Sequence, residues 1–457
     1  MKNKAITKTS TWALTIWNTV LFFTVWKLYY NPRVYHDYRA YALILNILLF
    51  LIIYRWLCDV YDAFAIASTS LAELIFSHLI CFGIADLILY VQGCLIANRW
   101  LYLLWGILTV LGQIGGSALI LMFTKRYMKQ HMIPTATILI YGKNANLSDV
   151  NLFRRKLSKA EGNLFHIVYQ DSEDMIDLQI EKYFRNCRNV IFYGVRSENR
   201  YKYIRMCVNE NKVFYIVPTY EDIICRNCSI RHFIDTPILR YEYSYKYGRN
   251  FHLKRGFDIL FSGIFLLIFF PFMLATAIAI KLEDGGPVFY RQKRVTEGNR
   301  VFEIYKFRSM IVDAEKDGAR PATQNDARIT KVGRVIRKTR IDELPQVLNI
   351  LKGDMSFVGP RPERVENVRE YTKEIPEFSN RLVVKGGLTG YAQVYGKYNT
   401  SAEDKLKLDM LYIENQSMLT DLKIILLTIR TMFEKDRTEG FDEKRSQEMN
   451  ELLRKSV

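Results

Sequence analysis

The sequence predicts a membrane α plus α/β protein in three parts. These are a four-helix transmembrane bundle, a degenerate Rossmann-like α/β domain, and a charge-rich domain entered through a proline-kinked, re-entrant membrane helix. Three observations predict it. Long apolar runs crowd the N-terminal quarter, and short apolar runs alternate with polar segments in the middle. Cations and carboxylates punctuated by Gly and Pro gather in the C-terminal part. The boundaries fall at 1–130, 131–250 and 251–457, with the re-entrant helix at about 257–281.

Composition bounds the partners. The chain of 457 residues is 49% apolar and carries 64 Lys+Arg against 47 Asp+Glu, a formal net charge of +17. Such a balance fits a chain lying on an anionic membrane surface or handling acidic substrates. No basic stripe interleaved with aromatics stands out, which argues against nucleic acid. The 7 cysteines are odd in number and irregularly spaced, which argues against a disulfide framework and for a reducing compartment. Cys225 and Cys228 form a lone CxxC that His232 does not complete into a metal set, so they read as structural thiols.

The bundle rests on apolar runs at 12–29, 41–58, 72–96 and 101–123, each near the length a bilayer core requires. Lys2, Lys4 and Lys8 precede the first, and Lys125, Arg126 and Lys129 follow the fourth, so both ends read as cytoplasmic. Lys27, Arg33 and Arg39 run against that rule. Glu73 and Asp86 are too few to mark a transport pathway. The middle domain rests on strand-like runs at 136–141, 164–168, 189–193 and 213–217, separated by helix-like segments such as 150–157 and 177–185. That alternation predicts a small parallel sheet. Its first turn, Tyr141-Gly142-Lys143-Asn144, lacks G-x-G-x-x-G, so a pyrophosphate could not approach closely and a structural or regulatory role is expected.

The third part opens with Lys254 and Arg255, an apolar stretch at 257–280, and Lys281. Pro271 near its centre removes a helical hydrogen bond and bends the axis. A helix that dips in and returns leaves both ends on one side, whereas a straight fifth span would export everything after it. GGPVFYRQ (285–292) with Lys293 and Arg294 follows, then KFRSM, where Lys306 and Arg308 share a face if extended. Asp313 and Glu315 come next. A carboxylate beside two cations stays ionised, which suits a nucleophile or a metal ligand. Mg²⁺ prefers carboxylate and phosphate oxygens, as a diphosphate would offer. A basic run at 333–340, with Arg328 before it, leads into Asp342-Glu343-Leu344-Pro345. In GDMSFVGPRP (353–362), which contains Asp354, two prolines stiffen the backbone around Arg361 and present its guanidinium to a planar anion. A surface salt-bridge network is the competing reading of the same charges.

The order GGPVFYRQKR, YKFRSM, DAE, DELPQ, GDMSFVGPRP and GLTGYAQV closely resembles the bacterial polyprenol-phosphate phosphoglycosyl transferases over essentially all of 251–457. With four N-terminal spans and a Rossmann-like insert, the chain resembles the large monotopic branch of that family. The resemblance implies transfer of a sugar 1-phosphate from a UDP-sugar to undecaprenyl phosphate at the cytoplasmic face of a bacterial inner membrane. UMP would be released, and the product would start exopolysaccharide, capsule or O-antigen synthesis. It implies a ping-pong route through a phosphosugar–aspartate, with Asp313 in the nucleophile's place. Mg²⁺ would be held by Asp313 and Glu315, with Glu343 able to share that role. Arg361, Lys293, Lys306, Arg308, Arg328 and Asp354 would bind substrate. A homodimer through the middle domain is a further expectation. The chain departs from the family twice: Ala314 separates Asp313 from Glu315 where the family has adjacent Asp-Glu, and Phe270 precedes Pro271 where Ser is common. A membrane nucleotide-sugar dehydratase or epimerase, and a noncatalytic assembly scaffold, are the alternatives.

Overall fold

The computed structural model describes residues 2–34, 39–131, 135–143, 145, 147–160, 165–173, 184, 186–233, 235–241, 251–312, 314, 326–396 and 400–432. It divides into two compact units between Val217 and Pro218.

The first unit begins with four long helices, α1 (Lys2–Val25), α2 (Arg39–Val60), α3 (Leu71–Ala97) and α4 (Leu103–His131). Leu14, Leu74, Leu121 and Met128 form part of its core. A polar seam joins the helices: Asn18 Nδ2 donates to Tyr54 Oη (3.1 Å) and Ser117 Oγ (3.0 Å), and Tyr54 Oη lies 2.9 Å from His78 Nδ1. Such interhelical bonds serve where lipid removes the hydrophobic drive for helix pairing. By length and composition Ala40–Val60, Leu71–Ala97 and Leu103–His131 could cross a membrane. The first expected span forms a helix of the bundle yet falls outside that group. Thr11, Thr15, Thr19 and Thr24 dilute its apolar content, each donating its hydroxyl to the carbonyl four residues earlier. Glu73 is a capping group: it accepts from Ser70 N–H (3.2 Å) while Ser70 Oγ accepts from Glu73 N–H (3.3 Å).

Behind the bundle comes a parallel sheet of order β2-β1-β3-β4, from β1 (Thr135–Tyr141), β2 (Phe165–Ser172), β3 (Asn189–Tyr193) and β4 (Val213–Val217). Helices α5 (Leu147–Ala160) and α6 (Ser197–Asn209) complete this layer, and Ile138, Ile140, Val190 and Phe192 form its core. The helix-like segment at 177–185 lies almost wholly outside the described residues.

The second unit starts earlier than the sequence boundary at 250. A short helix, α7 (Tyr220–Arg226), and the hairpin of β5 (Ser229–Phe233) and β6 (Thr236–Arg240) belong to it. Its main helix, α8 (Phe251–Asp284), runs 34 residues with Pro271 inside. Then come the antiparallel pair β7 (Phe289–Val295) and β8 (Val301–Phe307), α9 (Lys331–Lys338), and a 3₁₀ turn at Ile341–Glu343. Helix α10 (Gln346–Lys352) follows, then the parallel pair of β9 (Met355–Val358) and β10 (Gly386–Thr389), with α11 (Val365–Glu374) between them. The described part closes with α12 (Tyr391–Tyr395), α13 (Ala402–Glu414) and α14 (Met418–Met432).

Helix α8 is fastened to this unit at both ends. Near its start Arg255 donates to the Ile350 and Leu351 carbonyls (both 2.6 Å), and buried Asp258 accepts from Ser356 Oγ (3.0 Å) and Phe357 N–H (3.1 Å). Near its end Met273 and Ile280 pack on Phe307 and Ile336, Glu283 accepts from Lys331 N–H (2.7 Å), and Asp284 pairs with Arg308. Between these anchors the outward face is apolar, with Leu267 81% and Leu282 80% exposed. His252–Asp284 is the fourth helix that length and composition would allow to cross a membrane.

Candidate active site

Strand pairing builds the floor of the site. In the β7–β8 register Tyr290 faces Lys306 and Lys293 faces Glu303. Side chains alternate along a strand, so Tyr290, Gln292, Arg294 and Lys306 share one face, and Lys293 joins the opposite, exposed one. The sequence reading chose Lys293; the register brings Arg294 to the Lys306 face instead. Arg294 Nη1 donates to Pro362 O (3.1 Å) and Nη2 to Gln292 Oε1 (2.7 Å).

The wall is the DELPQ turn. Thr330 caps α9, its Oγ1 accepting from Gly333 N–H (2.9 Å), and the helix ends just before Arg340. Arg340 has φ 56°, a left-handed backbone that a bulky residue rarely adopts. Strain of this kind gathers at functional sites, and here it sets the turn that carries Asp342 and Glu343. Glu343 Oε1 accepts from both Lys306 Nζ (2.8 Å) and Arg361 Nη2 (2.6 Å). Burial works to raise its pKa, yet Arg361 and Lys306 carry it well below the usual range. The Glu343 charge in turn raises the pKa of Arg361. Asp342 makes no hydrogen bond among the described residues. Burial, then the charge of Glu343, pushes its pKa up to about 6 against the pull of Lys306, Arg337 and Arg361. Neighbouring carboxylates with divergent pKa values are a mark of divided chemical roles.

The roof is the GPRP loop after β9. Gly359 N–H donates to Thr389 O and Gly387 N–H to Pro360 O (both 2.9 Å), so the loop is pinned to β10 on either side. Beneath it Arg381 and Asp409 form a buried ion pair (2.7 Å), and Arg381 Nη2 also donates to the Arg361 carbonyl (2.9 Å). Glu363 next to the loop has its pKa lowered despite burial, by Arg381 and then Lys405. Arg381 gave no motif signal in the sequence; its role comes from burial alone.

The other sequence-selected residues sit as follows. Arg308 pairs with Asp284 through both guanidinium nitrogens, and Gly286 leaves room for it, since a Cβ there would lie 2.7 Å from Arg308 Nη1. Arg328 is held by Asp326 and donates to the Ala314 carbonyl (3.0 Å). Asp354 pairs with Arg300 (2.9 Å) by the β7–β8 turn. Pro271 lies in the interior of α8. Asp313 and Glu315 lie outside the described residues. No group of three His, Cys, Asp or Glu suited to a metal occurs among the described residues.

Comparison with known proteins fits this arrangement. The bacterial sugar transferase family matches residues 249–435, which hold all of these residues. A putative undecaprenyl-phosphate N-acetylgalactosaminyl 1-phosphate transferase of Bacillus subtilis is 47% identical over 152 residues, 33% of this chain and 85% of that protein. The chain belongs to the bacterial sugar transferase family. A UDP-N-acetylgalactosamine-undecaprenyl-phosphate N-acetylgalactosaminephosphotransferase of Aeromonas hydrophila is 51% identical over 39% of this chain and 43% of its own length. A UDP-glucose:undecaprenyl-phosphate glucose-1-phosphate transferase of Klebsiella pneumoniae is 41% identical over 40% of each. The match thus spans about two fifths of these longer relatives, and it falls on the second unit.

Proposed function

We propose that this chain transfers a sugar 1-phosphate from a UDP-sugar to undecaprenyl phosphate at the cytoplasmic face of the membrane, as the first step of a surface polysaccharide. The observation that carries the reading is the Asp342–Glu343 pair set among Lys306, Arg337 and Arg361. The family pattern is an adjacent Asp-Glu, and this pair supplies it where Asp313-Ala314-Glu315 does not. We assign the attack to Asp342. Its raised pKa makes the carboxylate more basic than a free one, while it is not fully buried and so stays reachable. An Asp342 oxygen bonds to the β-phosphorus, the bond from that phosphorus to the bridging oxygen breaks, and UMP leaves with the bridging oxygen. The oxygen of undecaprenyl phosphate then attacks the same phosphorus and expels the carboxylate, giving the lipid diphosphosugar. Lys306 and Arg361 hold Glu343 ionised and offer cations to the diphosphate. Asp342 and Glu343 would hold Mg²⁺, which when bound would neutralise diphosphate charge.

A re-entrant α8 is part of the proposal. Its support is that Arg255 and Asp258 near one end, and Glu283 and Asp284 at the other, all bind the same unit, while the apolar face between them is exposed. The middle α/β layer is read as a degenerate Rossmann-like domain with no dinucleotide. The test is UMP release from UDP-N-acetylgalactosamine and UDP-glucose with undecaprenyl phosphate and Mg²⁺, together with intact mass after donor alone. Asp342→Asn is expected to lower turnover by at least ~10³-fold and to abolish the mass increase. Full activity in that variant with loss in Asp313→Asn would return the attack to Asp313.

A further inference from the structure

We propose that Arg294, paired with Arg361, forms a two-guanidinium cradle for a phosphoryl group in this site. The inference rests on the functional reading above and deepens it. Arg294 is largely buried in β7, and both its hydrogen-bond acceptors are neutral, the Pro362 carbonyl and the Gln292 amide oxygen. Its Nε–H is buried with no hydrogen-bond partner among the described residues. A buried donor left unmade is costly, more so on a charged group. The carboxylates nearby are already engaged: Glu343 takes Lys306 and Arg361, and Glu363 takes Lys405 (3.5 Å). The charges facing Arg294 are those of Arg361, Glu363 and Arg364, with Tyr290 beside them, so the cations are in excess. Burial and the Arg361 charge accordingly lower its pKa to about 10.

Arg361 is the strongest charged neighbour of Arg294, such like charges repel unless an anion lies among them, and the fork geometry of arginine matches phosphate oxygens. A strut alone would explain the Pro362 contact, but it leaves the Nε–H and the like-charge pairing unexplained. The phosphoryl group could belong to the nucleoside diphosphate donor or to the lipid monophosphate acceptor.

The test uses the full chain in detergent and follows thermal unfolding with inorganic pyrophosphate and, separately, with a short polyprenyl monophosphate. Arg294→Gln, Arg294→Lys and Arg361→Gln are compared with the parent. The expected result is a tenfold or greater weakening of anion-induced stabilisation in Arg294→Gln. Arg294→Lys, which keeps the charge but lacks the Nε–H, should lose at least threefold and serves if the glutamine variant does not fold. Loss confined to pyrophosphate assigns the cradle to the donor; loss confined to the monophosphate assigns it to the acceptor. Unchanged stabilisation in both Arg294 variants with loss in Arg361→Gln overturns the cradle and leaves the site reading intact. No change in any variant overturns both.

Discussion

Strand β1 in the first unit and β9 in the second each end at a glycine pressed against neighbouring backbone. A Cβ on Gly142 would lie 2.1 Å from the Gly194 carbonyl oxygen, and one on Gly359 would lie 2.3 Å from that of Lys385. Beyond Gly142 the chain closes on itself, with Lys143 N–H given to Glu173 Oε1 (3.0 Å) and Ala145 N–H to the Gly142 carbonyl (2.9 Å). Beyond Gly359 two prolines carry Arg361 out to Glu343. Close backbone approach is therefore a packing device shared by both units. What differs is the charge gathered beyond it: in the second unit Arg361 meets a carboxylate that Lys306 also holds.

The comparison can be broken or sharpened at four places. The largest effect is expected under the GPRP loop. Arg381 and Asp409 are 2% and 1% exposed, so Arg381→Met strands a buried carboxylate and should cost about 3–5 kcal/mol in denaturant unfolding. Adding Asp409→Leu should recover much of that stability but not activity, because the Arg361 carbonyl stays unbraced. Next, Gly142→Ala and Gly359→Ala should each cost about 1–3 kcal/mol by overpacking against backbone. Only Gly359→Ala should also lower UMP release, and equal losses of activity in both would end the distinction.

A smaller effect is set by protons. With the Asp342 pKa near 6, the proposed attack by its ionised form would make kcat/KM rise with pH through about 6 and level off above it. By linkage, that raised pKa favours the folded state at pH below the unfolded value of 3.8 and the benefit is lost as pH climbs through about 6. Glu343→Gln removes one cause of the elevation and should move the acid limb of the rate profile to lower pH; a limb that stays in place excludes Asp342 as its source. The smallest change is Asp354→Asn. Its partner Arg300 is 53% exposed, so unfolding should shift by less than about 1 kcal/mol with turnover near the parent's.

Much of the cluster was legible because charge, Gly and Pro at fixed spacing leave few bland explanations. Lys306, Glu343 and Arg361 were picked from the sequence and do meet at one carboxylate oxygen. What the sequence left open has a common cause. Lys293 and Arg294 are adjacent cations, and only the pairing of β7 with β8 says which one faces Lys306. Arg308 and Asp354 are charged motif residues whose partners, Asp284 and Arg300, lie 24 and 54 residues away, too distant to infer from spacing. The first span was read from its aromatic and aliphatic content, while its threonines lowered the total below that of the other helices.

Sequence alone determined the division into apolar helices, a parallel α/β layer and a charge-rich unit, because hydrophobic periodicity and turn chemistry are local properties. It also determined the chemistry on offer, since the carboxylates and cations of the motifs are fixed by composition. Only the tertiary structure decided which of them act together. Strand register put Arg294 rather than Lys293 on the Lys306 face, the left-handed backbone at Arg340 shaped the turn that carries Asp342 and Glu343, and burial of Asp342 against the two cations on Glu343 moved those carboxylates' pKa values in opposite directions. Electrostatic coupling depends on distance and on exclusion of water, and neither exists until the chain has folded.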